Sequence, residues 1–316
     1  MATAMIAHCD RGACRSGLAP ADGWARLVRA GAELHGLWDG AVHGTCASDC
    51  TEPVSWTVEA IDEPVGSDPL FAVGADGSLH LLADGGAYAI CPDGSDCATR
   101  SGWLTAQIPG WESERVGGME TDATGAVHAV ASAPSAGSPA GAAYALCTGD
   151  CFTSASWRGL ELDATALMPE GLAVAAPDHV GIAFGQTLFA ECRGDCGDPA
   201  AWTVGSIGSS AGTYNLRAFP GSDGGFRIAG YRVESEDEDP DYWVGHCGMQ
   251  CTEAGSWNWR RAHIPFLRWD DSTTIVGMDG NGLATAEVRC AENQGHYCDE
   301  EWFRLRAWTL DPGCDP

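Results

Sequence analysis

The sequence predicts an all-β protein built from repeated four-stranded units, and three observations support this. Cysteines recur in close pairs along the 316 residues. In five of these pairs a tryptophan follows the second cysteine after five intervening residues. Segments such as "WTVEAI" and "WLTAQI" then alternate in hydrophobicity, as half-buried strands do. A spacing that returns every 37 to 56 residues is typical of a repeat architecture.

The cysteine pairs define the repeat. Their members lie so close in sequence that local disulfide bonds are expected, and 15 cysteines favour an oxidising compartment. A zinc site is not expected, because each loop offers two thiolates and tetrahedral zinc needs four ligands. Cys314 is left over, and is expected to be free or intermolecular. The expected pairs are Cys9 with Cys14, Cys46 with Cys50, Cys91 with Cys97, Cys147 with Cys151, Cys192 with Cys196, Cys247 with Cys251 and Cys290 with Cys298.

Each unit is expected to hold four strands, A to D. A hairpin with an Asp-Gly or Gly turn supplies A and B, an aromatic-led segment before the first cysteine supplies C, and the segment from the tryptophan supplies D. Four-stranded units of about 45 residues predict a β-propeller. The number of cysteine pairs predicts seven blades, with six as the alternative if the N-terminal hairpin completes a blade begun at the C-terminus. Residues 1–316 are expected to form a single domain, with units that begin near residues 1, 31, 67, 115, 168, 214 and 271.

The repeat tryptophans and the turn aspartates have structural interpretations. A tryptophan that recurs at one place in unit after unit is expected to be a buried packing residue. Aspartate before glycine at the A–B turn is expected to form the turn, because Asp-Gly suits a positive φ. The tryptophans are Trp56, Trp103, Trp157, Trp202 and Trp257, and the aspartates are Asp39, Asp76, Asp223 and Asp279.

The loop between strands C and D resembles the Ser-x-Asp-x-Gly-x-Thr-Trp loop of the Asp-box, or BNR-repeat, propellers. "CASDC", "CTGDC" and "CRGDC" keep Asp49, Asp150 and Asp195 inside the loop, and the repeat tryptophan follows. No unit has the complete Asp-box string, so a disulfide takes the place of part of the loop. The resemblance implies a propeller from a group that includes sialidases, other glycoside-acting enzymes and non-catalytic binding propellers. Sialidase activity is not expected, because those enzymes use three inner-strand arginines and here only Arg227 lies on such a strand.

Charge and hydropathy exclude several partners. The chain carries 44 acidic and 17 basic residues, a net charge of -27, which repels nucleic acid and anionic lipid. No apolar run is long enough to cross a membrane. The segment "MATAMIAHCDRGACR" lacks the features of a signal peptide, so export would need a signal that precedes this chain. We expect an extracellular, periplasmic or cell-surface monomer.

Two tryptophans outside the repeat mark the candidate ligand site. Both fall in loops between strand D of one unit and strand A of the next, a face that carries the site in many propellers. An aromatic ring flanked by carboxylates and arginine is a common way to hold a sugar or a peptide, although the same residues also suit packing. The candidate residues are Trp111, Glu112, Glu114, Arg115, Arg268, Trp269, Asp270 and Asp271.

The favoured function is a binding or interaction module with a glycan ligand, or else an extracellular protein partner. A glycoside hydrolase or polysaccharide lyase is the second alternative, because pairs of these carboxylates suit glycoside cleavage. A structural surface protein is the third. No catalytic residue is assigned, and an enzyme is the less favoured interpretation.

No cofactor is expected. His43, His80 and His128 are placed at the start of strand B in three consecutive units, where three imidazoles could bind a transition metal. Later units have no histidine at the equivalent place, so the ring of ligands is incomplete and no metal is predicted. The acidic segment 233–243 is the one candidate for calcium, but it lacks the spaced glycine loop of a dedicated site.

Overall fold

The computed structural model describes residues 5–309 apart from 11–12, 19, 22–24, 31–32, 39–41, 51, 62–64, 66–68, 113–114, 133–141, 163–168, 186–187, 209–213, 222, 233–240, 263–271, 280–281 and 291–300. Within these ranges the chain is all-β, with twenty-five strands and six 3-10 helices of three residues each. No helix in them has the length and apolar character that a membrane span requires.

The strands form seven antiparallel sheets, five of which have four strands. A two-stranded sheet opens the chain, with β1 Met5–Asp10 and β2 Ala13–Leu18. Blade 1 holds β3 Ala25–Ala30, β4 Glu33–Trp38, β5 Val42–Cys46 and β6 Thr57–Ala60. Blade 2 holds β7 Leu70–Val73, β8 Leu79–Ala83, β9 Ala87–Cys91 and β10 Leu104–Gln107. Blade 3 holds β11 Arg115–Thr121, β12 Val127–Ser132, β13 Ala142–Cys147 and β14 Trp157–Leu162.

The remaining strands follow the same pattern. Blade 4 holds β15 Pro169–Ala176, β16 His179–Phe184, β17 Leu188–Arg193 and β18 Trp202–Ser206. Blade 5 holds β19 Tyr214–Pro220, β20 Phe226–Arg232, β21 Asp241–Cys247 and β22 Asn258–Ala262. A three-stranded sheet ends the described chain, with β23 Ser272–Asp279, β24 Gly282–Cys290 and β25 Glu301–Thr309.

In the part of the chain that the structure describes, the protein is therefore a β-propeller with five four-stranded blades, and the expected seven blades, or six, are wrong. Residues 25–30, which precede the expected start of a unit near residue 31, instead supply β3, whose Ala25 lies opposite Trp38 in β4 of blade 1. The first cysteine pair belongs to the two-stranded sheet, in which Cys9 lies opposite Cys14. Because a close cysteine pair needs only two strands, counting such pairs overestimates the number of four-stranded blades.

The innermost strands contact one another in chain order, from β3 through β7, β11 and β15 to β19. Partly buried carboxyl groups help to join them. Oε2 of Glu120 accepts a hydrogen bond from the backbone N–H of Val174 in the next blade at 2.8 Å. Glu170 repeats this one blade later and accepts from the N–H of Leu216 at 2.5 Å. These bonds satisfy backbone donors at the inner edge of each sheet.

Disulfides lie between strands C and D, as predicted. They join Cys46 to Cys50, Cys91 to Cys97, Cys147 to Cys151, Cys192 to Cys196 and Cys247 to Cys251. In all five loops the indole N–H of the repeat tryptophan donates to the carbonyl of the second cysteine, over 2.7 to 2.9 Å. The loop that the sequence analysis identified by spacing is therefore closed by one covalent bond and one hydrogen bond in each four-stranded blade.

Two of the seven predicted pairs fall on side chains that the structure does not describe. Cys9 and Cys14 lie opposite each other in the backbone register of the first hairpin, but their side chains are outside the described part. Cys290 is the last residue of β24, and Cys298 lies within 291–300, outside the described residues. The disulfide between Cys290 and Cys298 therefore stays a prediction. So does the state of Cys314, which also lies outside the described residues.

The repeat tryptophans are packing residues, as predicted. Trp157 and Trp257 are 6% and 7% exposed. An aromatic residue of strand C packs edge-on against the tryptophan of the following blade, a geometry that stabilises aromatic pairs beyond their buried area. These pairs are Tyr88 with Trp157, Tyr144 with Trp202 and Phe189 with Trp257, at centroid distances of 5.0, 4.7 and 5.3 Å.

Candidate functional site

A cleft of about 740 Å³ opens between blades 1 and 2, and the A–B turn of blade 3 contributes to its wall. The cleft lies on the face formed by the A–B and C–D loops, so the Cys91–Cys97 disulfide is part of its lining. The sequence predicted a ligand site on the opposite face, where the D–A and B–C loops lie. The cleft instead lies on the face that carries the disulfides.

The cleft is strongly acidic. None of the described residues that line it is arginine, lysine, phenylalanine, tyrosine or tryptophan. Glu33 and Glu59 in blade 1 have side chains that are 54% and 50% exposed, so their carboxylates are available to a ligand. The five acidic residues of the lining are Glu33, Glu59, Asp76, Asp93 and Asp122.

Two histidines form the wall of the cleft in blade 1. His35 on β4 and His43 on β5 are 6% and 4% exposed. Nδ1 of His35 lies 3.3 Å from Nε2 of His43, and the two rings are nearly parallel with centroids 5.5 Å apart. Nδ1 of His43 lies 3.2 Å from a carboxylate oxygen of Glu59, whereas Nε2 of His35 lies 3.8 Å from Glu33. The four side chains form a chain that runs from one carboxylate to the other.

In blades 2 and 3, the equivalent two positions hold a histidine and a tyrosine. In blade 2, Nδ1 of His80 lies 2.6 Å from the hydroxyl of Tyr88. In blade 3, Nδ1 of His128 lies 2.7 Å from the hydroxyl of Tyr144. Tyrosine occupies the position three residues before the first cysteine in both blades, and in blade 1 that position is His43.

The predicted alignment of His43 with His80 and His128 is therefore wrong. His80 and His128 lie on the second strands of their blades, whereas His43 lies on β5, the third strand of blade 1. The residue equivalent to His80 is His35. Residues 33–46 hold two strands, β4 and β5, so His43 lies one strand later in its blade than His80 and His128 do in theirs.

Turn aspartates extend the pairs in blades 2 and 3. Oδ1 of Asp76 accepts from the backbone N–H and the hydroxyl of Ser78, and this hydroxyl lies 2.8 Å from Nε2 of His80. Oδ2 of Asp122 lies 3.3 Å from Nε2 of His128. The turn role predicted for Asp76 is thus confirmed. Asp223 in blade 5 also accepts the N–H of the turn residue Gly225.

Burial lowers the pKa of all four of these histidines. Desolvation is the largest cause for His35, the charge of His43 adds to it, and Glu33 opposes it. Desolvation also lowers the pKa of His43, against the hydrogen bond to Glu59. The pKa of His80 falls to about 4, again through desolvation, and that of His128 falls for the same reason.

No cluster of three or more histidine, cysteine, aspartate or glutamate side chains in the described part of the chain could hold a metal ion. The three predicted histidines are distributed over three separate pairs. Residues 233–240 of the acidic segment considered for calcium lie outside the described residues.

The predicted ligand residues are only partly described. Trp111 is 3% exposed and packs in a hydrophobic cluster with Ile108 and Tyr88, so its ring offers no open face to a ligand in this conformation. Glu112 and Arg115 are exposed. Glu114, Arg268, Trp269, Asp270 and Asp271 lie outside the described residues, as does Cys298 among the predicted disulfide cysteines. A ligand role for these loop residues stays a prediction.

No protein-family model matches the chain, and no curated protein sequence matches it. Among solved structures it is similar to the β-propeller domain of Cps50 (Swd1) from Myceliophteria thermophila, with 10% identity and a TM-score of 0.52 over 92% of this chain and 84% of that one. The polysaccharide lyase Uly1 has 9% identity and a TM-score of 0.47 over 93% of this chain and 91% of that one. YCF48 from Cyanidioschyzon merolae has 12% identity and a TM-score of 0.47 over 68% of this chain and 70% of that one. At these identities, the similarity to the Cps50 domain supports the propeller fold alone.

Proposed function

We propose that the protein is a binding propeller whose ligand is a basic segment of a partner protein, held in the acidic cleft by its arginine or lysine side chains. The observation that carries this proposal is the lining of the cleft, which combines five carboxylate side chains with no arginine or lysine among the described residues. Carboxylates bind guanidinium and ammonium groups through charge-assisted hydrogen bonds. The cleft lies within the volume range of small-molecule pockets, which suits one or two long side chains.

The charge of the whole molecule supports the same ligand class. A net charge of -27 attracts cationic partners and accelerates their encounter with the cleft. The half-exposed carboxylates of Glu33 and Glu59 can bind without the cost of fully desolvating a charge. A protein partner is one of the two ligand classes that the sequence analysis favours.

The disulfides, the C–D loops and the burial of Trp111 bear on the proposed location, kinship and ligand. Five disulfides support an oxidising compartment, and we propose an extracellular, periplasmic or cell-surface location. The recurring tryptophan and C–D loop support kinship with the Asp-box propellers. The glycan prediction loses its strongest described residue, because the ring of Trp111 is buried.

A binding titration tests the proposal. The probe is a fluorescein-labelled peptide of alternating arginine and glycine, compared with an aspartate–glycine peptide and with a neutral oligosaccharide mixture at the same ionic strength. The triple variant Glu33→Gln, Glu59→Gln, Asp93→Asn removes three charges from the cleft. We expect it to weaken binding of the arginine peptide about tenfold or more, as for loss of several charge-assisted contacts.

The matched control removes the same number of charges elsewhere. Glu161, Asp178 and Glu253 are exposed and do not line the cleft, so the variant Glu161→Gln, Asp178→Asn, Glu253→Gln changes net charge equally. We expect its affinity to stay within about twofold of the wild type. Equal losses in both triple variants would show non-specific attraction, and tighter binding of the oligosaccharides would favour the glycan prediction instead.

A further inference from the structure

The hydrogen-bond pattern determines where the hydrogens lie in the histidine pair of blade 1. The Glu59 carboxylate can only accept, so Nδ1 of His43 carries the hydrogen between them. In a neutral ring the other nitrogen is then a bare acceptor, so Nε2 of His43 accepts from Nδ1–H of His35. This leaves Nε2 of His35 as a bare lone pair on the wall of the cleft.

That lone pair is the place for one added proton. It faces Glu33 at 3.8 Å, too far for a direct hydrogen bond but close enough for a strong charge interaction once the imidazole is positive. A proton at Nε2 of His35 leaves both existing hydrogen bonds intact. A second proton would have to enter at Nε2 of His43, which would then point a hydrogen at the N–H of His35 and break the bond between the rings.

The surroundings of the pair favour a single positive charge. The charged groups that share the cleft are Glu33 on β4, Glu59 on β6, Asp76 and Asp122 in the A–B turns of blades 2 and 3, and Asp93 in the C–D loop of blade 2. All are carboxylates. Phe71 on β7 is an apolar neighbour, and its ring meets His43 edge-on at 5.8 Å.

We infer that His35 and His43 form a one-proton switch of the cleft, which takes up a single proton on mild acidification and thereby weakens the binding of a basic ligand. The ligand half of this inference rests on the proposed function. The proton half stands on the geometry of the pair alone. Burial holds the pKa of both rings below the ordinary histidine value of 6.5, so the switch operates below that pH.

The experiment combines two measurements on the full chain, with a chelator present. The first follows the imidazole resonances of His35 and His43 by NMR between pH 7.5 and pH 4.5. The second measures the affinity of the arginine–glycine peptide over the same range at constant ionic strength. We expect one protonation step for the pair, an affinity loss of about tenfold, and a slope of log Kd against pH that does not exceed one.

Two variants isolate the pair. The double variant His35→Gln, His43→Gln removes both rings, and we expect its peptide affinity to lose most of the pH dependence. The control is His246→Gln, because His246 lies outside the cleft, 2.8 Å from Asp223 in blade 5. It should keep the wild-type pH dependence.

The outcomes are distinguishable. Uptake of two protons, or a peptide affinity that is independent of pH, would overturn the inference and leave the proposed function standing. No peptide binding at any pH would reject the proposed function, and with it the ligand half of the switch. The NMR titration of the wild type would still decide the proton half, and it does not depend on whether any variant folds.

Discussion

The His35–His43 pair of blade 1 and the His128–Tyr144 pair of blade 3 occupy the same two positions of the repeat. They differ in the direction of their hydrogen bonds. In blade 3 the Asp122 carboxylate faces Nε2 of His128, so that nitrogen carries the hydrogen and Nδ1 accepts from the hydroxyl of Tyr144. Both nitrogens of the neutral ring are satisfied. In blade 1 the direction is reversed, and Nε2 of His35 has no hydrogen-bond donor within the pair.

The difference in hydrogen-bond direction follows from the residue three places before the first cysteine, which is His43 in blade 1 and Tyr144 in blade 3. Tyrosine donates its hydroxyl hydrogen to the histidine in blade 3, and burial raises the pKa of Tyr144 above its ordinary range, so the hydroxyl keeps this hydrogen. His43 instead donates to Glu59, which is half exposed, and must accept from His35. Blades 2 and 3 hold buried histidine–tyrosine pairs, whereas the histidine pair of blade 1 lines the cleft beside two half-exposed carboxylates.

The largest effect should come from removing the ring of Trp157, which packs against the histidine–tyrosine pair of blade 2. Trp157 packs against Tyr88, the partner of His80, and its indole N–H donates to Cys151. We expect Trp157→Ala to lower the free energy of unfolding by about 3 to 5 kcal/mol, as for other large-to-small changes in a core. Chemical denaturation followed by circular dichroism measures it.

Trp111→Ala is the companion variant. Because Trp111 is as buried as Trp157, we expect a loss of similar size, on the order of 3 kcal/mol. A loss near zero for Trp111→Ala would indicate that this ring leaves the core, and would restore it as a candidate ligand residue.

Acidification should lower stability through the buried histidine of blade 2, which pairs with a tyrosine rather than with a second histidine. The pKa of His80 in the folded protein is about 4, below its ordinary value, so the unfolded chain binds the proton first as pH falls. His80 therefore lowers stability progressively from about pH 6.5 to about pH 4, by about 3 kcal/mol in total. In His80→Gln we expect lower stability at neutral pH but a shallower decline with acid. Unfolding curves at several pH values test this, and an unchanged acid slope would contradict it.

The smallest effect is expected at Glu33, which lies beside Nε2 of His35 in blade 1. Glu33 raises the pKa of His35, but its carboxylate is half exposed and therefore screened. We expect Glu33→Gln to shift the protonation step of the pair to lower pH by less than about one unit, with stability changed by less than about 0.5 kcal/mol. The NMR titration measures the shift. An unchanged protonation step would show that Glu33 does not attract the protonated His35, and a shift to higher pH would contradict the attraction as well.

The sequence by itself determined the features that depend on short spacings. The alternation after each tryptophan predicts strands, and the close cysteine pairs predict disulfides between strands C and D, because both are set by residues within one turn or hairpin. The recurrence of Trp157 and its equivalents predicts packing, because one structural environment repeats. These features are independent of how neighbouring blades meet.

Tertiary structure alone decided the blade count, the burial of Trp111 and the composition of the cleft. The count depended on whether β3 pairs with β4 or with the N-terminal hairpin, and both pairings suit the local pattern. His35 and His43 lie eight residues apart in one hairpin, and their contact depends on the register of β4 and β5, which the local pattern leaves open. The cleft gathers side chains from three blades, and their proximity comes from the packing of whole sheets, whose relative positions are not encoded in any single segment.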